Sequence, residues 1–478
     1  MTKRRTPSNR PTTNAYRNAS PSRSSAKPPS RPTREQTPAQ HYSPEVRIAN
    51  QMRQALELWQ QWLEQRNWYQ LDRWLKHTLS KNRKFGKRDR LFYGDVLFNA
   101  ARFGYWAAQV MALSQGATST AQSVDDFAAA TQNADALKNQ LAILCQGASG
   151  DDFLALCQWR AQCDQALPEG IAKYASRIEA LNNYRDTDLE GALVWHGIPS
   201  VYRPQLEALG KHHNLERFLQ AQDSRPPLWL RLNHEDKRSA VMSELAEFYL
   251  AREDGSAISI EGQRGVFGLE CYKNGWVEIQ DWASQQLALK VAATPGQKVW
   301  DACAGGGGKT LAISAPLKNK GAVWATDIRE HKLVEVKRRA KQANFYNIRT
   351  APWDGETPFR LPKEIANDGG FDWVLVDGPC SSSGTWRRNP DAKLRNSGED
   401  LTALTALQLK LLNQACVAVK PGGKLVYGTC SFFDCENGAI VEQFLAQNSH
   451  WQLDSSELMG CPYNNSDTLF AAVLSRTT

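Results

Sequence analysis

No two of the ten cysteines in this 478-residue chain are spaced as CxxC. Neither a disulfide framework nor a structural zinc site is indicated, so a reducing, cytoplasmic setting fits and no metal is expected. An uninterrupted apolar run long enough to span a bilayer is also missing, and no membrane partner is expected. The first basic residues have no apolar stretch behind them, which excludes a secretory signal. Acidic residues are almost absent from residues 1–44. Nine basic groups stand there (Lys3, Arg4, Arg5, Arg10, Arg17, Arg23, Lys27, Arg31 and Arg34) against Glu35 alone, so this tail carries the whole formal charge of +8. Rich in Pro, Ser and Thr, the tail is expected to be disordered. A solvated cationic arm of this kind attracts polyanions without sequence specificity.

The length suggests two or three domains. Order is expected from Ser43-Pro44-Glu45, an N-cap, a first-turn proline and an acid at the positive helix end. Ile48, Met52, Ala55, Trp59 and Leu63 follow at helical spacing. Lys81–Arg90 reads as a basic loop, and Leu91, Phe92, Val96, Leu97, Phe103 and Trp106 as a further amphipathic helix. Residues 45–220 are therefore expected to be all-helical, with tryptophans in the core. At Arg225-Pro226-Pro227 the pattern turns to alternating strands and one charged helix (Lys237 to Leu250), a small α+β module over about 225–275. From there to 478, helix and strand alternate. Strands are expected at Lys298–Cys303, Ala322–Ile328, Ile348–Pro352, Phe371–Asp377, Lys424–Gly428 and Thr468–Leu474. This is the signature of an α/β fold, a doubly wound, Rossmann-like, mostly parallel sheet.

Two of these strands end in a thiol. Phe371–Asp377 runs into Gly378-Pro379-Cys380, and Lys424–Gly428 into Thr429-Cys430. In open parallel sheets, ligands sit outside the carboxyl ends of the strands. Neighbouring strands lie roughly 5 Å apart, so both thiols are expected in one pocket. The first strand leads into Asp301-Ala302-Cys303-Ala304-Gly305-Gly306-Gly307-Gly308-Lys309-Thr310. A P-loop would need glycine where Cys303 stands, and a dinucleotide fingerprint would need it at Thr310. The loop instead suits a nucleoside with a small zwitterionic end. Asp327 ends the second strand, where an acid commonly binds ribose hydroxyls, and Asp354 follows the third, where it could meet adenine. Together these describe a pocket for S-adenosylmethionine. Beside such a methyl donor, a thiolate adding to carbon-6 of a pyrimidine would make carbon-5 nucleophilic.

The motifs Asp377–Gly384, Tyr427–Ser431 and Asp301–Thr310 resemble those of the RsmB/Sun (nucleolar Nop2-type) RNA cytosine-5 methyltransferases. Pro227–Asn233 and Val277–Gln285 resemble further motifs of that family, so the likeness runs over about 225–478. It implies Cys430 as nucleophile, Cys380 as the thiol that assists release of methylated RNA, and Asp377 beside methyl donor and cytosine. It also implies donor contacts from Cys303, Ala304, Gly305, Gly306, Gly307, Gly308 and Lys309, with Asp327 on the ribose and Asp354 on the adenine. Lys332 stands where the family usually has arginine, Gly306 where it usually has proline, and Asp467-Thr468-Leu469-Phe470 where it usually has aspartate followed by Gly-Phe-Phe. Arg231 and Asn233 are expected on RNA. The helical region resembles, more weakly, a NusB-like RNA-binding domain, with Arg88 and Arg90 as candidate phosphate contacts. The resemblance favours ribosomal RNA as substrate over transfer RNA, with an assembly factor of dispensable catalysis as a different reading. A monomer is expected.

Overall fold

The computed structural model describes residues 43–65, 70–82, 84–114 and 196–477, apart from 262–264 and 396–397, with isolated positions between 158 and 193. The basic tail, Trp68 and most of the helical stretch expected over 120–195 lie outside the described residues. Among the described residues no helix is long and apolar enough to cross a membrane, and no group of three His, Cys, Asp or Glu could hold a metal ion.

Helix α1 (Pro44–Gln65) buries Ile48, Ala55, Leu58, Trp59, Trp62 and Leu63 on one face. α2 (Leu71–Lys81) buries Trp74 and Leu75, so these tryptophans are core. α3 (Lys87–Ser114) starts inside the predicted basic loop. The reason is local: the Asp89 carboxylate accepts the Gly86 N–H at 2.8 Å and closes the first turn. Arg88 and Arg90 project from that turn into solvent. Leu91, expected on the apolar face, is exposed. Two short helices, α4 (Arg203–Gly210) and α5 (Leu215–Ala221), complete the described helical part.

The small module is a four-stranded antiparallel sheet, β1 (Leu228–Leu232), β2 (Leu250–Asp254), β3 (Ala257–Glu261) and β4 (Val277–Ile279), in order β2-β3-β1-β4. Its helix α6 (Arg238–Ala246) stops four residues before the expected end, because Leu250 already opens β2. β4 pairs with β1 and takes this sheet to Ile279.

The larger α/β domain runs α7 (Trp282–Leu289), β5 (Lys298–Asp301), α8 (Gly308–Leu317), β6 (Ala322–Asp327), α9 (Glu330–Gln342), β7 (Ile348–Pro352), β8 (Phe371–Asp377), α10 (Gly398–Cys416), β9 (Val419–Thr429), α11 (Gly438–Gln447), β10 (Trp451–Met459) and β11 (Leu469–Arg476). The seven-stranded order is β10-β11-β9-β8-β5-β6-β7. β9 through β7 are parallel, and β11 joins antiparallel. Alternation explains why helices cover both faces. Val374, Val376, Leu425 and Tyr427 pack with Leu412 and Ala415 of α10 and Ile440 and Phe444 of α11. Leu375 and Val426 face the other way, toward Leu287 of α7 and Ile313 and Leu317 of α8. β10 escaped sequence reading because it is an edge strand whose central residues are all exposed.

Strand order reverses between β5 and β8, the topological position where open α/β sheets bind ligands. The helical part packs onto the loops that follow β8 and β9: Tyr202, Leu206, Leu209, Phe218 and Leu219 form one buried cluster with Trp386, Phe432 and Phe433.

Candidate active site

The β8/β9 register sets Asp377 opposite Gly428. Cys380 and Cys430, just beyond, therefore leave neighbouring strands at the same edge, and their Sγ atoms are 3.2 Å apart. Serines lock the two loops together. Ser431 Oγ lies 2.8 Å from Ser383 Oγ and 3.2 Å from Ser381 Oγ. Beneath them the buried Glu436 carboxylate accepts Ser381 N–H at 2.8 Å, Ser381 O–H at 2.5 Å and a Gln408 amide N–H at 3.0 Å. Gly384 sits where a Cβ would meet Thr468 O at 1.8 Å, so the turn admits no side chain there. Ser382 takes a left-handed backbone, φ 60, and its Oγ lies 3.6 Å from Cys430 Sγ. Backbone of this kind in a non-glycine residue persists only where its surroundings enforce it.

The two thiols are electrostatically unequal. The hydrogen bond from Cys380 holds Cys430 below the usual thiol range against the opposing cost of burial. The same bond, then burial, drives Cys380 upward. Cys430 is thus the more acidic thiol of the pair. Lys309 Nζ donates to Asp377 Oδ2 at 2.6 Å. Burial works against the Lys309 charge, but the Asp377 carboxylate outweighs it and holds the ammonium above its ordinary value.

The glycine loop joins this centre from β5. Gly305 and Gly307 have positive φ (54 and 85), which only glycine tolerates cheaply. A Cβ on Gly305 would meet nothing within 4 Å, so the loop leaves open space there. Its backbone is pinned: Gly307 N–H donates to Ala304 O at 2.8 Å, and Arg339 donates to Gly306 O while pairing with Glu278 at 2.8 Å. Asp301, fully buried, accepts Thr310 O–H at 2.6 Å, and burial pushes it up to about 7. Cys303 is half-buried and its thiol is also pushed up by burial.

Asp327 ends β6 as expected, yet its carboxylate is already full. Oδ2 accepts Gly305 N–H at 2.9 Å and Arg329 Nη2 at 3.0 Å; Oδ1 accepts Arg329 N–H and Nε–H, both at 2.9 Å. Arg329 was not legible as a site residue, since nothing in its spacing distinguishes it from a solvated helix-start cation. Arg339 and Glu436 are likewise visible only in three dimensions.

Other expected residues are placed elsewhere. Asp354 lies at the same carboxyl edge, two residues beyond Pro352, which pairs with Asp327; it is exposed and accepts the Glu356 N–H at 3.0 Å, a turn interaction. Lys332 Nζ stands 3.6 Å from Glu335 on α9. Arg231 and Asn233, expected on an RNA surface, are instead buried. Arg231 donates to Gly308 O at 2.8 Å, to Asn233 Oδ1 at 2.7 Å and to Gln280, and Asn233 donates to Gly275 O at 2.8 Å. They brace the glycine loop from below, and burial lowers the Arg231 guanidinium to about 10.

A doubly wound sheet with a glycine turn after its first strand and an acid after its second has the Rossmann-like methyltransferase fold. A crystal structure of PH0851 superposes with TM-score 0.65 at 20% identity, covering 91% of this chain and 99% of that one. NSun6 from Pyrococcus horikoshii, solved with SFG, gives TM-score 0.50 at 14% identity over 59% of this chain and 98% of that one. Residues 288–471 match the family model described as 16S rRNA methyltransferase RsmB/F. Ribosomal RNA small subunit methyltransferase B of Enterobacter sp. (strain 638) is 34% identical over 240 residues, 49% of this chain and 55% of the relative. The protein of the same name from Proteus mirabilis (strain HI4320) is 30% identical over 266 residues, 55% and 62% of the two chains. The chain thus spans little more than half the length of the curated relatives it matches.

Proposed function

We propose that the protein is an RNA cytosine-5 methyltransferase, that its substrate is ribosomal RNA of the small subunit, and that it works through a covalent bond between Cys430 and carbon-6 of the base. The observation that carries this reading is the thiol pair at 3.2 Å, with Cys430 lowered and Cys380 raised. Ribosomal RNA is supported by the RsmB/F match and by the small-subunit names of the relatives.

The residues present fit S-adenosylmethionine, whose sulfonium supplies an electrophilic methyl group. Gly305 and Gly307 leave a cradle for its amino-acid end, Lys309 and Asp377 stand at the side facing the thiols, and Asp327 and Asp354 line the edge where a nucleoside would lie. Cys430 thiolate adds to carbon-6, forming the carbon–sulfur bond and placing the electron pair on carbon-5, which takes the methyl as the methyl–sulfonium bond breaks and leaves its electron pair on the donor sulfur. Asp377, fixed by Lys309, faces the polar edge of the ring. A base then removes the carbon-5 proton, its electron pair re-forms the ring double bond, and the carbon–sulfur bond breaks to return Cys430 thiolate. Cys380, the protonated neighbour, assists that release.

Incubating Cys380→Ala protein with small-subunit ribosomal RNA and the methyl donor should accumulate a protein–RNA adduct that survives denaturant. Unchanged methylation without an adduct would refute the division of labour between the thiols. Cys430→Ser should abolish methyl transfer; activity in that variant would show that the nucleophile is another residue.

A further inference from the structure

A second cleft, of about 360 Å³, opens outside the thiol pocket. β10 and β9 are each antiparallel to β11, so they run the same way and end at the same edge. The turn that follows β10 therefore lies on the side of the sheet where Cys430 emerges. It is also bonded to that centre: Thr468 N–H donates to Gly384 O at 2.9 Å, and Gly384 N–H donates to Cys430 O at 3.0 Å. This turn supplies Tyr463, Asn464 and Ser466 to the cleft, which Trp229, Trp282, His213 and Asp254 also line.

The lining has a consistent chemistry. Both indole N–H groups are engaged, Trp229 with Asn465 O at 2.7 Å and Trp282 with Asp254 Oδ2 at 2.5 Å, so the rings are held in place. His213 Nδ1 lies 3.5 Å from Tyr463 Oη, and the Arg217 guanidinium sits 4.8 Å above the Tyr463 ring. Lys211, on the turn between α4 and α5, and Arg217, in the first turn of α5, are exposed and form a cationic rim next to His213. Aromatic faces, short hydrogen-bonding side chains and a cationic border are the combination that takes an unpaired base and its phosphates. Asp254, exposed on the module side, repels phosphate and leaves the backbone of such a strand to the Lys211–Arg217 side.

We propose that this cleft holds an unpaired nucleobase flanking the target cytosine on the same RNA strand. The proposal rests on the reading of the protein as an RNA enzyme, and its test does not need methyl transfer. A fluorescein-labelled single-stranded RNA oligonucleotide is titrated into the full chain at several salt concentrations. Tyr463→Ala should bind about tenfold more weakly, as loss of one stacked base predicts, with the salt slope unchanged. Tyr463→Phe should bind as the wild type does, and Lys211→Ala should reduce the slope by about one. Photo-crosslinking of 4-thiouridine-substituted RNA to wild-type protein should label the Gly460–Ser466 peptide, which guards against a variant that merely misfolds. Wild-type affinity in Tyr463→Ala, or crosslinks that avoid this peptide, would overturn the proposal. If wild-type protein transfers no methyl group while the binding pattern holds, the cleft stands and the catalytic reading falls.

Discussion

Two sulfur atoms 3.2 Å apart share their protons, so the reactivity of Cys430 belongs to the pair. Direction is set by which sulfur keeps the proton: burial alone would raise both, and the Cys380 hydrogen bond reverses the sign at Cys430 only. A comparable competition governs Asp327. Its oxygens accept from Gly305 and three times from Arg329, whose side chain is half exposed and can swing away. On the proposed reading, a ribose hydroxyl reaching Asp327 would displace the guanidinium. Arg329→Ala should therefore tighten binding of S-adenosylmethionine about fivefold, roughly the 1 kcal/mol of one net hydrogen bond, while kcat is unaffected. Isothermal titration checks this, and weaker binding would mean that Arg329 assists the ligand.

At the scale of elements, the glycine loop is held from two sides. Arg339 of α9 reaches Gly306 O and Arg231 of β1 reaches Gly308 O, so the small module is a buttress of the site. Arg231→Ala leaves Gly308 O and the Gln280 and Asn233 side-chain oxygens without their donor. It should cost about 3 kcal/mol in urea denaturation and raise the KM for the methyl donor, with the salt dependence of RNA binding unchanged. A shift in that salt slope would restore Arg231 to the RNA surface. α9 shows how strictly the loop is built. A Cβ on Gly307 would stand 3.0 Å from Val336, so Gly307 is constrained by packing as well as by its φ of 85.

For the whole molecule, the decisive contacts join the helical part to the loop after β8. Arg102 of α3 donates to Arg387 O at 2.8 Å, Asp391 accepts Leu71 N–H at 3.2 Å, and Tyr202 O–H donates to Lys393 O at 3.1 Å. Lys393 Nζ, buried in this junction, donates to Arg102 O at 3.1 Å. Burial, helped by Arg102, lowers it from 10.5 to about 7. A folded-state value below the unfolded one means that the unfolded chain holds more protons on this lysine between about pH 7 and 10.5, so its contribution to stability rises across that window. Lys393→Met should remove the rise and stabilise the protein by roughly 2 kcal/mol at or below pH 7. Urea midpoints at several pH values measure it; an unchanged pH profile would show that Lys393 reaches water.

Local pattern sufficed for much of this. Apolar runs ending in Asp377 and Gly428 announced parallel strands, the glycine turn after β5 and the acid after β6 announced the crevice, and Cys380 and Cys430 could be placed at strand ends, because each follows from residues adjacent in the chain. Tertiary structure alone decided what those groups touch. The sulfur contact spans 50 residues and depends on the β8/β9 register and the serine bridges. Arg231 reads as a surface cation and became a buried brace because Gly308 and Gln280 close over it. The aromatic cleft draws on five distant segments, at His213, Trp229, Asp254, Trp282 and Leu458–Ser466, that no periodicity connects. Hydrogen-bond satisfaction inside a packed interior is a property of the assembled fold, and sequence spacing carries no record of it.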